Sequence, residues 1–527
     1  MVADLKTKWL FPSKNTLGVN SLSLKLLYFI LGIAMVISVY SLIFFVRNKV
    51  YLIGSDAFYY MSIADSILEN GKLKDITTIQ GNSVKTTQNG IVLIHVLLSI
   101  LGISNHDHLI PIVVLNYLFY LSGIYPLYRI ARKTGMPKGW PVMLLIAVYL
   151  GAWHIYRINL LVLNDGIFNS SILWLVYLLI ELVHAPDIEG SHFVFTKSTI
   201  MKLLGISLVL IVLVQFRLGA LLVIGSAVLS AIAIKNFRAA IPFVTICGIL
   251  SLSLILIYFN LDVTSFDSIS LGSRFSKLFG LPELHYIKLQ LWKTLPRLVA
   301  GLSPLSSKMV TLCFSIFPLS MTYFLYRGYK EKDFSKVFVS LICLSGLWFT
   351  TVSNWPNARV IWYTFPLIYL IIFNFTKLRP IGYVLVFIVF LQSFQQFYIG
   401  FGRGPVSKLF LHIYENRISL PQDEPLLLTW KARHSYFFLN TRSYRAADDD
   451  DGTLDGHITF PKELNWDLIK KRDSLYVLGD STYIASAYSQ VQDMATSNGY
   501  KFETNSLTPD LEKFEGWALV ELELEKN

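Results

Sequence analysis

Residues 26–60 read LLYFILGIAMVISVYSLIFFVRNKVYLIGSDAFYY. Leu26–Val46 carries no charge and is long enough to cross a bilayer core as helix, which takes about 20 apolar residues. No small-residue cleavage site follows, so it reads as a retained first span. Lys6, Lys8, Lys14 and Lys25 precede it and place the N-terminal tail in the cytoplasm. Gly54-Ser55-Asp56-Ala57-Phe58-Tyr59-Tyr60 then stands at the far mouth, an acidic residue followed by aromatics on the extracytoplasmic face.

The rest of the chain has the same character. Of 527 residues, 54% are hydrophobic and 15% charged, with a mean hydropathy of +0.51. A soluble chain carries about a quarter charged residues, so this one has too few to cover a surface in water. The composition predicts a mostly α, polytopic helical membrane protein. Net charge is +11, but the basic residues cluster between the apolar blocks. That pattern indicates positive-inside topology and contact with anionic membrane lipids, not nucleic acid. Cys247, Cys313 and Cys343 all fall within apolar blocks and have no metal or pairing spacing.

Topology follows from the basic clusters. Ile91–Leu101 is apolar but short. If it lies at the outer surface, Leu109–Ile130 runs inward and Arg129-Ile130-Ala131-Arg132-Lys133 is cytoplasmic, as the positive-inside rule requires. Alternating spans are then expected at Pro141–Ile155, Ile167–Val183, Ile200–Phe216, Leu218–Ile234, Ala239–Phe259, Met309–Tyr326, Val337–Val352, Val360–Phe375 and Ile381–Phe401. The total is about eleven spans in a transmembrane domain, 1–401. From Gly402 the composition turns soluble. Leu426–Thr429, Ser474–Leu478 and Trp517–Leu522 read as strands and Thr482–Asn498 as a helix, predicting a small extracytoplasmic α/β domain, 402–527. Asp448–Asp451 reads as a solvated acidic loop.

This topology gathers polar residues on the outer face. Asp56 follows the first span, Arg157 and Asp165 bracket the short loop between Ile155 and Ile167, Arg217 sits between two spans, and Arg359 opens a late span. A single ionisable group at a span boundary is usually a snorkelling residue; two carboxylates and several arginines on one face suit transfer from an anionic lipid phosphate. A carboxylate deprotonates or orients the acceptor, or holds a divalent cation, while arginines clamp the phosphate that leaves.

The ordered set resembles the GT-C membrane glycosyltransferases, which take sugars from polyprenyl-phosphate carriers. From Asp56 to about Leu175 it is most similar to the catalytic subunit of oligosaccharyltransferases. Asp56-Ala57-Phe58-Tyr59-Tyr60 matches their first acidic motif, Ile94-His95-Val96-Leu97-Leu98 their surface segment, and Arg157 with Asn164-Asp165-Gly166 their arginine and second acidic motif. Thr86-Thr87-Gln88-Asn89-Gly90, Arg217-Leu218-Gly219 and Arg359 with Pro366 resemble positions in other GT-C enzymes. The resemblance implies that Asp56 and Asp165 are the catalytic carboxylates and hold any divalent cation, Mg or Mn. It implies that Tyr59, Tyr60, Arg157, Arg217 and Arg359 contact substrate. The expected partners are a polyprenyl-phosphate-linked sugar and a lipid, glycan or protein acceptor. The 260–308 loop, with Asp262, Asp267, Arg274, Glu283 and His285, is long enough to fold over such a site.

The chain also departs from that pattern. The first motif has one carboxylate where an acidic pair is common, and Gly166 stands where a glutamate is common. The acceptor-reading Trp-Trp-Asp-Tyr-Gly motif is replaced by Trp430-Lys431-Ala432-Arg433-His434, which argues against transfer to a protein asparagine. Sugar transfer at the extracytoplasmic face is therefore the leading expectation. Oligosaccharide transfer to asparagine, a transporter or flippase, and a non-catalytic scaffold are the alternatives.

Overall fold

The structure, a computed structural model, describes residues 21–49, 55–71, 74–77, 82–83, 90–103, 109–162, 164–184, 196–217, 219–260, 307–352, 364–375, 379–399, 405–420, 425–429, 431–444, 464–508 and 514–526. The chain divides into two compact units, one of residues 1–48, 87–90 and 111–400, the other of residues 49–86, 91–110 and 401–527.

In chain order the elements begin with α1 (Ser21–Arg47), α2 (Ser55–Asn70), the short strands β1 (Lys74–Asp75) and β2 (Asn82–Ser83), and α3 (Gly90–Ile100). A helical run follows: α4 (Leu109–Ser122), α5 (Ile124–Lys133), α6 (Trp140–Gly151), α7 (Trp153–Leu160), α8 (Asn164–Val183), α9 (Lys197–Phe216), α10 (Gly219–Ala233) and α11 (Phe237–Asn260). Beyond it come α12 (Ser307–Glu331), α13 (Phe334–Val352), α14 (Phe365–Phe375) and α15 (Arg379–Ile399). Every apolar block read from the sequence contains a helix. Among the described residues, four helical stretches are long and apolar enough to cross a membrane: Leu24–Arg47, Leu109–Lys133, Asp165–Val183 and Lys197–Val214.

The first unit is apolar outside as well as inside. Phe29, Val36, Leu208, Val244 and Phe387 are exposed, while Leu27, Ala34, Ile37, Leu210 and Phe243 on the same helices are buried. Water would penalise such a surface and hydrocarbon would not. At the centre is α6, ten of whose residues from Pro141 to Gly151 are buried. A helix apolar on all faces belongs in the interior, and α6 packs against α1, α5, α14 and α15.

One expected span is broken. Pro141–Ile155 ends as α6 at Gly151, because Ala152 is extended at φ −80°, ψ 115°, and α7 starts afresh. Ser393 of α15 stabilises the break, its Oγ accepting from the Trp153 amide at 3.0 Å and donating to the Gly151 carbonyl. The backbone groups freed at the interruption are thus paired, as an apolar interior requires. Glu181 of α8 pairs with Arg129 at 3.0 Å and Lys133 at 3.4 Å, which brings the C-terminal ends of α5 and α8 together.

The second unit contains α16 (Pro405–Glu415), β3 (Leu427–Thr429), α17 (Ala432–Leu439), α18 (Trp466–Arg472), β4 (Ser474–Gly479), α19 (Ser481–Thr496), β5 (Tyr500–Ser506) and β6 (Ala518–Lys526). The sheet order is β3-β4-β6-β5, with β3 parallel to β4 and the other pairs antiparallel. Alternation along β4 builds a core on each face. Leu475 and Val477 pack with Tyr483, Ala487, Val491 and Ala495 of α19, one stripe at four-residue spacing. Tyr476 and Leu478 face Leu409, Phe410 and Ile413 of α16 with Phe514 and Trp517. Asp480 caps α19 by accepting from the Tyr483 amide at 2.9 Å. The three strands expected from the sequence are β3, β4 and β6, and β5 is an additional one.

Candidate active site

In the first unit, Asp165 lies in the first turn of α8 and is fully buried at 0% exposure. Arg217 is the residue that ends α9, where the backbone turns extended at φ −158°, ψ 138°. Its Nε forms an ion pair with Asp165 Oδ1, and its side chain is 19% exposed. An acid at a helix N-terminus and a base just past a C-terminus are each favoured by the helix dipoles. The two residues are 52 apart in the chain, and the α8–α9 packing brings them together.

Asn116 of α4 shapes the turn before Asp165. Its Nδ2 donates to the Leu161 carbonyl at 2.8 Å. A Cβ on Gly166 would come within 2.5 Å of that same nitrogen, so the amide occupies the place a side chain would need. Asn159 and Ser170 fasten α7 to α8, the serine hydroxyl donating to Asn159 Oδ1 at 2.9 Å. Arg157 of α7 has its guanidinium 5.9 Å from the Trp153 ring centre.

In the second unit, Asp56 is the second residue of α2, followed by buried Phe58 and Tyr59 and half-buried Tyr60. Arg433 lies 4.3 Å over the Tyr59 ring, within cation–π range. His434 is stacked on Phe410 at 4.8 Å and meets Phe58 edge-on at 5.4 Å. Burial, with Lys431 and Arg433 adding to it, pushes its imidazole down from 6.5 to about 3. The unfolded chain binds that proton between pH 6.5 and about 3 and the folded one does not, so stability falls as pH drops through this window. His434→Phe is expected to flatten that slope, by on the order of 2–4 kcal/mol near its lower end, since each pKa unit is worth about 1.4 kcal/mol. Thermal unfolding across the acid range checks it.

No family model matches the sequence, and no curated protein matches it. Solved structures do match the fold. ArnT from Cupriavidus metallidurans, solved bound to undecaprenyl phosphate, aligns with a TM-score of 0.58 at 13% identity over 94% of this chain and 98% of that one. The archaeal oligosaccharyltransferase AglB from Archaeoglobus fulgidus, in complex with an inhibitory peptide and a dolichol-phosphate, aligns with a TM-score of 0.53 at 10% identity. That alignment covers 90% of this chain and 71% of AglB. The fold is that of the GT-C membrane glycosyltransferases.

The residues that the GT-C resemblance singled out are distributed unevenly. Asp165 and Arg217 are brought into contact. Arg157 is placed on α7 in the same unit. Asp56, Tyr59 and Tyr60 share α2. Arg359, nearly all of the 260–308 loop and Asp448–Asp451 lie outside the described residues. Sequence reasoning missed Asn116, although a polar side chain within an apolar span is a signal in itself.

Another GT-C structure, the A. fulgidus oligosaccharyltransferase, was solved with Zn and sulfate. The second acidic motif here does not fit a divalent cation. The Asp165 carboxylate carries a guanidinium, a competing positive charge, and Asn116 fills the place beside Gly166 where a second carboxylate would project. Among the described residues, no three His, Cys, Asp or Glu side chains converge.

Proposed function

We propose that this chain is an integral-membrane glycosyltransferase that moves a sugar from a polyprenyl-phosphate donor to an acceptor at the extracytoplasmic face. The observation that carries it is a GT-C fold matched end to end, over 94% of this chain and 98% of a protein solved with undecaprenyl phosphate. About eleven spans, a cytoplasmic N-terminus and an extracytoplasmic C-terminal domain, 402–527, complete the proposed topology.

The reaction is a direct displacement. A nucleophilic atom of the acceptor attacks the anomeric carbon, the carbon–oxygen bond to phosphate breaks, and the phosphate leaves with the bonding pair. Asp56 takes the acceptor's proton. Arg217, with Arg157 and Arg359, neutralises the phosphate; Tyr59 and Tyr60 line the substrate. Phosphate is already a fair leaving group, so positioning and charge account for most of the acceleration. Asp165 is assigned the role of Arg217's charge partner, which aims the guanidinium, and no step runs through a metal at Asp165.

The AglB likeness supports a second reading, transfer of a lipid-linked oligosaccharide to protein. Lys431-Ala432-Arg433 in place of an acceptor-reading motif weighs against it. Purified protein in lipid, given a polyprenyl-monophosphate sugar and a polyprenyl-pyrophosphate oligosaccharide in parallel, separates the two. Consumption of the monophosphate donor is expected by mass spectrometry, with and without chelator. Consumption of the pyrophosphate donor alone would favour the second reading, and consumption of neither would favour a transporter or scaffold.

A further inference from the structure

The roles assigned above leave unused a set of contacts along α2. Phe58, fully buried, stacks on Phe437 of α17 with ring centres 4.5 Å apart, and Phe438 meets it edge-on at 5.4 Å. Two turns on, Tyr436 Oη donates to Asp65 Oδ2 at 2.7 Å. Asp65 is 8% exposed, so this is a charge-assisted bond in a nearly water-free place. One turn further, Arg442 pairs with Glu69 at 2.9 Å, an exposed contact. At 100° per residue, positions 58, 65 and 69 fall within about 40° of one another on the helix. One face of α2, from just after Asp56 to its end, is therefore held by residues 434–442.

We propose that α17 is a clamp on the helix that carries Asp56, with Tyr436 as its positioning residue, so that the C-terminal segment sets where this carboxylate stands. The proposal rests on Asp56 being the catalytic carboxylate. It deepens that role: the region after β3 acts through α2, not by reading an acceptor sequence. Burial, then the Asp65 charge and hydrogen bond, push the Tyr436 hydroxyl well above its usual range, so it remains a donor at every working pH. Phe58 and Phe437 supply the apolar grip, and the Tyr436–Asp65 bond fixes rotation and register, because apolar burial is non-directional whereas a hydrogen bond holds a distance and an angle.

The test uses full-length protein in lipid. Tyr436→Phe removes one oxygen and keeps the ring. Hydrogen exchange across α2 is expected to quicken, and kcat to fall roughly ten- to hundred-fold with KM within about two-fold, on whichever donor the wild-type protein consumes. Arg442→Gln, which breaks only the exposed pair, is expected to change neither. Unchanged exchange in Tyr436→Phe overturns the clamp. Quickened exchange with wild-type kcat overturns its link to the site. Asp56→Asn, assayed alongside, separates the two ideas. If it is inactive while Tyr436→Phe turns over normally, the clamp fails alone; if it is fully active, the catalytic reading fails and the clamp's role with it.

Discussion

Asp56→Asn is expected to lower turnover by about 10²–10⁴-fold while leaving insertion and thermal unfolding at wild-type values. An amide keeps the shape of the carboxylate but cannot accept the acceptor's proton, and a positioned general base contributes about that factor. The loss should fall on kcat, because proton transfer is made in the transition state and not in the ground state. The substitution sits in the first turn of α2, ahead of the residues that α17 grips, so it leaves the Phe58–Phe437 stack and the Tyr436–Asp65 bond in place. The readout is donor consumption by correctly inserted protein. Full activity in the Asn variant would refute Asp56 as the base.

Arg217→Ala is expected to destabilise the first unit by about 3–5 kcal/mol, the typical cost of removing one partner from a buried ion pair. Asp165 has no exposure to water, so its buried carboxylate would lose the guanidinium that balances it. Asp165→Asn should destabilise as well, by leaving Arg217 without its partner. The double variant Asp165→Asn with Arg217→Ala should be less unstable than the sum of the two, because it removes both charges at once. Thermal unfolding of the four proteins gives the cycle, and additive losses would show that the pair is not coupled. The cycle also governs how activity is interpreted: lost stability by itself lowers turnover in a single Asp165 variant, so the role of Asp165 in aiming Arg217 is assayed below the unfolding range.

The membrane character was legible from Leu26–Val46 and the blocks like it, since spanning a bilayer demands a long apolar run that few other constraints produce. Strand β4 was legible because it is buried on both faces and must be apolar throughout. Strand β5 was not. It lies at the sheet edge and reads Tyr-Lys-Phe-Glu-Thr-Asn-Ser, with Phe502 as its one buried residue. Its existence depends on pairing with β6, and the apolar alternation of Tyr500 and Phe502 with Lys501 and Glu503 is too short to mark a seven-residue strand. The break at Ala152 was likewise hidden, because Ser393, 240 residues from Trp153, pairs the backbone there.

The sequence by itself determined the apolar blocks, the basic turns between them, and the residue types suited to phosphate and proton chemistry. Each depends on local composition, which solvent partitioning reads directly. Only the tertiary structure decided which of those residues meet. Asp165 and Arg217 pair because α8 and α9 pack together, a partnership that neither residue's place in the sequence reveals. Tyr436 and Asp65 are 371 positions apart and show no pattern in sequence. Their bond exists because the chain returns α17 to the helix that begins at Ser55 and Asp56. Contacts between distant side chains are set by packing, and packing is a property of the folded whole.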